Sequence, residues 1–94
     1  MVAGNNITIR HESEEFSYQD ACCLATQALG SPAAGVIIDL SRTSQTCTAA
    51  MARLVLLRRH LLQRGGDLRI LGLNRKAKAV YEINRMSRIL PMMN

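Results

Sequence analysis

The sequence predicts an α/β fold, in which a mostly parallel four-stranded sheet packs against about three helices in a single domain spanning residues 1–94. Two patterns predict this class. Short runs of β-branched residues, such as Val36-Ile37-Ile38, alternate along the chain with longer segments whose apolar residues recur at helical spacing. Strands that alternate with helices of this length need crossover connections, and such connections join parallel strands.

The first third of the chain predicts one strand and one helix. Asn6 to Arg10 alternates apolar and polar residues and is expected to form a strand, and an acidic turn is expected from His11 to Glu15. The helix is expected to begin near Tyr18 or Gln19, with Ser17 as its N-cap, and to end at Gly30-Ser31-Pro32. Its apolar positions are Ala21, Leu24, Ala25, Ala28 and Leu29.

A second strand, a polar connection and a long helix follow. The strand is expected at Gly35 to Leu40, the connection at Ser41 to Thr46, and the helix at Thr48 to Arg64. Gly65-Gly66 supplies the left-handed residue that commonly ends a helix, and a further strand is expected at Leu68 to Leu73.

The last segment predicts a third helix and a short closing strand. Asn74 is expected to cap a helix from Arg75 to Met86. Ile89-Leu90-Pro91 is expected to be extended, with Pro91 ending regular pairing. The inward positions of the helix are expected to be Ala79, Val80, Ile83 and Met86.

Composition limits the class of protein further. No apolar run approaches the roughly 20 residues of a membrane span, and the N-terminal residues lack the hydrophobic region of a signal peptide, so a cytoplasmic protein is expected. Three cysteines, of which Cys22 and Cys23 are adjacent, make a poor disulfide framework, and reduced thiols are expected.

Charge is divided unevenly along the chain. Up to Leu40 there is one basic side chain and there are five acidic ones, whereas from Ser41 onward eleven basic side chains accompany two acidic ones. A basic second half can attract phosphates, acidic lipids or an acidic protein partner. The alternative is that these charges lie on solvated helix faces and keep a small protein in solution.

A candidate site lies where the second strand leads into the second helix. The strand delivers Cys47, Thr48, Ala49 and Ala50 to a helix N-terminus at the carboxyl edge of a sheet, which is where open α/β sheets usually bind their ligands. A hydroxyl in the first turn of a helix can carry a phosphate close to backbone N–H groups and to the positive end of the helix dipole. Thr48 offers such a hydroxyl and is a candidate for phosphorylation, and the alternative at this point is that it only caps the helix.

The run from Val36 to Pro91 resembles the STAS domain, the family named for sulfate transporters and anti-sigma-factor antagonists. In that resemblance Thr48 falls on the phosphorylatable Ser/Thr of the family, Cys47 falls where the family usually has Asp, and Ala49-Ala50 falls where it usually has Ser/Gly-Gly. The N-terminus looks shortened, because the family commonly has two strands before the first helix. The matching residues are Ile38-Asp39-Leu40-Ser41, Thr48, Gly65-Gly66, Leu71-Gly72-Leu73-Asn74 and Ile89-Leu90-Pro91.

The resemblance implies a bacterial, non-enzymatic signalling module that is similar to an anti-sigma-factor antagonist in transcription regulation. Its partner would be a kinase-type anti-sigma factor. A related implication is the STAS subunit that binds the ATPase of a lipid-trafficking ABC transporter, which the run Ile38 to Arg42 and the short N-terminus favour. The partner-binding residues would be Thr43, Ser44, Gln45, Thr46, Cys47, Thr48, Ala49, Ala50 and Arg53.

Several alternatives stay open. Thr48 can serve as a helix cap alone, and Cys47 can be either a redox-sensitive thiol or a small buried hydrophobe. The basic half can bind nucleic acid, although the scarcity of aromatic residues argues against base stacking. No metal-ligand spacing, Gly-rich phosphate loop or hydrolase motif is present, so neither a metal, a cofactor nor an enzymatic activity is expected. A homodimer also stays open.

Overall fold

Strands and helices alternate in the computed structural model, which describes residues 6–32 and 34–93. The elements are β1 (Asn6–Arg10), β2 (Glu15–Phe16), α1 (Tyr18–Leu29), β3 (Gly35–Asp39), β4 (Gln45–Thr46), α2 (Thr48–Gln63), β5 (Asp67–Leu71), α3 (Arg75–Ile83), a 3₁₀ turn at Met86–Arg88, and β6 (Met92–Met93). The predicted α/β class is confirmed, and so are the three helices.

The main sheet has the order β1-β3-β5-β6, and each neighbouring pair in it is parallel. Three strands have five residues each, whereas β6 at the edge has two. Alternate side chains of the three longer strands are buried under the helices, and Thr8 and Arg69 are exposed on the opposite side. The buried residues of these strands are Ile9, Val36, Ile38, Leu68 and Ile70.

A second, two-stranded ladder stands apart from the main sheet. In it β2 pairs in parallel with β4. The sequence predicts only a turn and a polar connection at these positions, so that prediction is wrong where the ladder forms. Strands of two residues are too short to show a periodic pattern in the sequence. The connection is ordered here because the backbone N–H groups of Ser44 and Gln45 donate to the carbonyl oxygen of Glu14, at 2.8 and 2.9 Å.

The helix ends follow the predicted capping signals. The Ser17 hydroxyl accepts from the backbone N–H of Asp20 at 3.1 Å, and the Asp20 carboxylate accepts from the backbone N–H of Ser17 at 2.9 Å, which completes a capping box. Asn74 caps α3 through its side chain, which accepts from the backbone N–H of Ala77 at 3.0 Å. Gly65 has a φ of 84°, the left-handed conformation expected after α2.

Arg64, at the end of α2, holds the end of α1. Its guanidinium donates to the backbone carbonyl oxygens of Leu29 at 3.1 Å, Ser31 at 2.9 Å and Ala28 at 3.4 Å. The carbonyl of Leu29, the last residue of α1, is one of those that a helix C-terminus leaves without an intrahelical partner. The two helices are therefore joined where both end.

An ion pair anchors the start of β5. The Nε of Arg58 lies 2.8 Å from Oδ1 of Asp67. Burial would raise the pKa of Asp67, but the hydrogen bonds from Arg58 and from the backbone N–H of Leu68, together with the charges of Arg58 and Arg69, outweigh it and hold this pKa below its ordinary value. Asp67 is therefore ionised at neutral pH, beside the point where the chain enters the sheet.

The third helix differs from its prediction in length and phase. It ends at Ile83 rather than at Met86, and its buried residues are Ala77 and Tyr81, whereas Ala79 is exposed and Ile83 is 79% exposed. The hydroxyl of Tyr81 donates to the carbonyl oxygen of Leu90 at 2.7 Å, so this aromatic ring can lie in the core with its polar group satisfied. The spacing of apolar residues predicts a different buried face, because it places Ile83 inside rather than Tyr81.

The closing segment also differs. Residues 89–91 form no strand, and pairing continues beyond Pro91, since the backbone N–H of Ile70 donates to the carbonyl oxygen of Pro91 at 3.0 Å and Met92 then pairs with Ile70. Proline lacks a donor but keeps its acceptor, so it can open an edge strand. β5 ends at Leu71, because Gly72 adopts a φ of 80° and turns the chain.

Candidate functional site

The predicted site residues lie at the turn between β3 and α2, a region called here the Thr48 corner and defined as residues 43–50 with Arg53. The chain enters it through Asp39, whose carboxylate accepts from the backbone N–H of Ser41 at 2.9 Å. Hydrogen bonds from the hydroxyl and the backbone N–H of Ser41 hold the pKa of Asp39 below its ordinary value. This ionised side chain stabilises the turn at the carboxyl edge of the sheet.

The polar segment that leads to α2 is held against the segment before α1. The hydroxyl of Thr43 donates to the carbonyl oxygen of Ser13 at 3.2 Å, and the hydroxyl of Thr46 donates to the carbonyl oxygen of Phe16 at 3.1 Å. Together with the β2–β4 ladder, these bonds give a short polar segment a fixed conformation. The Thr48 corner is therefore built on ordered backbone.

The N-terminus of α2 carries no anionic compensation. Cys47 is the N-cap residue, its side chain makes no capping hydrogen bond, and the first turn has no acidic residue. The positive end of the helix dipole and the N–H groups of the first turn therefore lack the side-chain acceptor that Ser, Thr, Asp or Asn supplies at most helix starts. An added anion at this point would meet favourable electrostatics.

Thr48 is exposed and is the first residue of α2. Its hydroxyl oxygen accepts from Nδ2 of Asn84 at 3.1 Å, and the same amide donates to the carbonyl oxygen of Val80 at 2.8 Å. The cap alternative for Thr48 is wrong, because the N-cap is Cys47. Asn84, just after α3, contacts the candidate site, and the sequence does not indicate this contact because Asn84 lies far from Thr48 along the chain.

The structure divides the predicted partner-binding residues into a framework and a surface. Thr43 and Ala50 are buried, so in this structure they support the Thr48 corner from within. Cys47 is exposed, so its interpretation as a buried hydrophobe is wrong, while its redox sensitivity stays a prediction. Ser44, Thr46 and Arg53 are partly buried, and the exposed members are Gln45, Cys47, Thr48 and Ala49.

Across residues 6–32 and 34–93, no group of three or more His, Cys, Asp or Glu side chains is placed to hold a metal ion. The three cysteines are free thiols. In the same part of the chain, no helix combines the length and the apolar character that crossing a bilayer requires.

The alternation of strands and helices, the parallel sheet and the strand-to-helix corner at its carboxyl edge define a STAS-like fold, as the sequence predicts. Two solved structures share it over the whole of this chain. The NMR structure of the protein TM1081 has a TM-score of 0.80 at 13% identity, with 78% of that chain covered. The anti-sigma-factor antagonist SpoIIAA in its unphosphorylated form has a TM-score of 0.74 at 15% identity, with 84% of that chain covered. Comparison of the sequence with protein-family models and with curated proteins finds no match.

Cys47→Asp is expected to raise the free energy of unfolding by about 1 kcal/mol, because the new carboxylate can accept from the first-turn N–H groups of α2. The hydrogen bonds lower the folded-state pKa of that carboxylate, so the gain is present above its unfolded pKa of about 3.9 and disappears as pH falls through the folded value. Urea unfolding followed by circular dichroism at several pH values measures it. Cys47→Ala is the control, and equal stability of the two variants would contradict the prediction.

Proposed function

We propose that the chain is a non-enzymatic regulatory module that binds a protein partner through the Thr48 corner, and that phosphorylation of Thr48 controls this binding. A kinase-type anti-sigma factor is the partner proposed. The observation that carries the proposal is an exposed Thr48 hydroxyl in the first turn of α2, where the N-cap side chain supplies no acceptor and the Asn84 amide lies 3.1 Å away.

The geometry supports a phosphate that leaves the fold intact. A phosphothreonine adds about −1.5 to −2 charges at neutral pH. At Thr48 those charges would lie beside the positive end of α2 and within reach of the donor that Asn84 already presents. The modification would therefore change the charge and shape of the exposed corner, and with it the fit of a partner, while the core stays folded.

The fold supports the choice of partner, since the anti-sigma-factor antagonist SpoIIAA has it. A second candidate is the ATPase of a lipid-trafficking ABC transporter, which the run Ile38 to Arg42 favours. Both candidates use the same corner, so the identity of the bound protein separates them. A nucleic-acid-binding domain would instead use the basic second half and leave Thr48 without a role.

Thr48→Glu is expected to weaken the complex with the cognate anti-sigma-factor kinase by at least about tenfold, because it places a fixed negative charge on the corner. Thr48→Ala is expected to bind like the unmodified chain and to resist phosphorylation. Titration calorimetry with anti-sigma-factor kinases of the source organism measures the first effect, and incubation with ATP followed by phosphopeptide mapping measures the second.

Thr26→Glu is the matched control, because Thr26 is an exposed threonine on α1 outside the corner. Equal weakening by both glutamates would contradict binding through the corner. Phosphate on a residue other than Thr48 would contradict the control mechanism. Binding to the transporter ATPase but not to an anti-sigma-factor kinase would make the ATPase the partner. Salt-sensitive binding to nucleic acid, without binding to either protein, would overturn both candidates.

A further inference from the structure

A groove of about 970 Å³ lies between α3, the 3₁₀ turn and the start of β6. Among the side chains that line it, Tyr81 and Met86 are buried and Met92 is partly buried. Lys78, Arg85 and Arg88 line it as well, and all three are exposed. The groove therefore has an apolar floor and a basic rim, and it is called here the C-terminal groove.

The floor is fixed by buried hydrogen bonds. The Tyr81 hydroxyl donates to the carbonyl oxygen of Leu90 at 2.7 Å, and the backbone N–H of Leu90 donates to the carbonyl oxygen of Met86 at 2.7 Å. Arg85 has a φ of 52°, a left-handed conformation that costs a non-glycine residue about 1 kcal/mol and that reverses the chain between α3 and the 3₁₀ turn. The concave shape is thus formed in the free protein and needs no ligand to create it.

The rim carries an excess of positive charge, since three cations line the groove with one carboxylate. The ion pairs between described residues join Arg10, Arg42 and Arg58 to carboxylates, and they include none of the three cations at the groove. Glu82 is the acidic side chain that lines the groove beside them. A concave site with an excess of one sign of charge concentrates its potential and attracts the opposite charge.

We propose that the C-terminal groove binds an acidic peptide segment of a protein partner, with an apolar side chain packed against Ile89 and Met92, which line the groove and keep part of their surface exposed, and with carboxylates at Lys78, Arg85 and Arg88. The proposal does not rest on the function proposed for the Thr48 corner. A chain segment fits better than a membrane surface, because a flat surface cannot reach a concave floor. Nucleic acid fits less well, because the ring of Tyr81 is buried and cannot stack on a base.

Two neighbouring lysines on α3 provide a matched test. Lys78 lines the groove, whereas Lys76 is exposed on the same helix and does not line it. The probe is a fluorescein-labelled amphipathic peptide of glutamate and leucine, and its anisotropy is titrated with the whole chain at low and at moderate salt. We expect salt-sensitive binding that Lys78→Glu and Arg88→Glu each weaken by about tenfold, and that Lys76→Glu leaves within about twofold.

The other outcomes overturn the proposal. Equal weakening by Lys76→Glu and Lys78→Glu would mean attraction by net charge alone. Equal binding of a peptide with glutamine in place of glutamate would remove the role of the basic rim. Binding to phosphatidylglycerol vesicles without binding to the peptide would assign this surface to a membrane, and absence of peptide binding by the unaltered chain would reject the groove as a peptide site. Circular dichroism shows whether each variant is folded.

Discussion

Phe16→Ala is expected to lower the free energy of unfolding by about 4 kcal/mol, because the phenyl ring is fully buried and its removal leaves a cavity in the core. The ring also meets the imidazole of His11 edge to face, with centroids 4.9 Å apart and an angle of 76° between the planes. Phe16 belongs to β2, so its loss should also loosen the β2–β4 ladder under the Thr48 corner. Urea unfolding measures the first effect, and amide hydrogen exchange at residues 44–47 measures the second.

Tyr18→Ala is the control for this prediction. Tyr18 is an aromatic residue two positions further along the chain, but it is 52% exposed, so we expect its removal to cost less than about 1 kcal/mol. A loss below about 1 kcal/mol for Phe16→Ala would contradict the placement of this ring in the core. If Phe16→Ala destabilises the protein but leaves amide exchange at residues 44–47 unchanged, the order of the Thr48 corner does not depend on the Phe16 ring.

Gly66→Ala is expected to destabilise the protein by about 3 kcal/mol, because a methyl group at this position would overlap the backbone carbonyl of Ala34. A carbonyl of the main chain cannot turn aside as a flexible side chain can. The displacement would reach the hydrogen bond just before β3, in which the backbone N–H of Asp67, at the start of β5, donates to that same carbonyl oxygen at 3.0 Å. Thermal and urea unfolding of the variant measure the loss.

Gly65→Ala separates steric overlap from backbone strain. Gly65 has the left-handed φ of 84°, yet an added methyl group would meet no atom within 4 Å. We expect it to cost about 1 kcal/mol, the strain of an L residue in that conformation. If Gly65→Ala costs as much as Gly66→Ala, the close approach of Ala34 is not what makes a glycine necessary at position 66.

The elements that the sequence predicts well are those with a repeated local signal. β1 matches its prediction residue for residue, and α1 begins at Tyr18 behind the Ser17 cap. For α2 the start is predicted correctly and the end is predicted to within one residue. This agreement follows from a long apolar stripe and from the glycine pair that marks the end of the helix. These signals depend on residues a few positions apart, so a single sequence contains them.

The features that the sequence does not predict depend on contacts between distant segments. The β2–β4 ladder joins two pairs of residues that are 30 positions apart, and the contact from Asn84 to Thr48 spans 36 positions. The phase of α3 depends on a hydrogen-bond partner for Tyr81 beyond the end of the helix. For the Thr48 corner, the sequence therefore indicates the exposed hydroxyl and the helix start, but neither the donor beside it nor the ladder that supports it.

The contact between Arg64 and the end of α1 has a consequence for how this fold can be traced among distant proteins. All three acceptors of the guanidinium are backbone carbonyl oxygens. Any residue supplies such an oxygen, so the segment 28–31 can change its side chains without loss of these bonds, and no paired substitution is needed to preserve them. Co-variation between sequence positions would therefore not reveal this contact between the two helices. A comparison of backbone structures is needed to detect it.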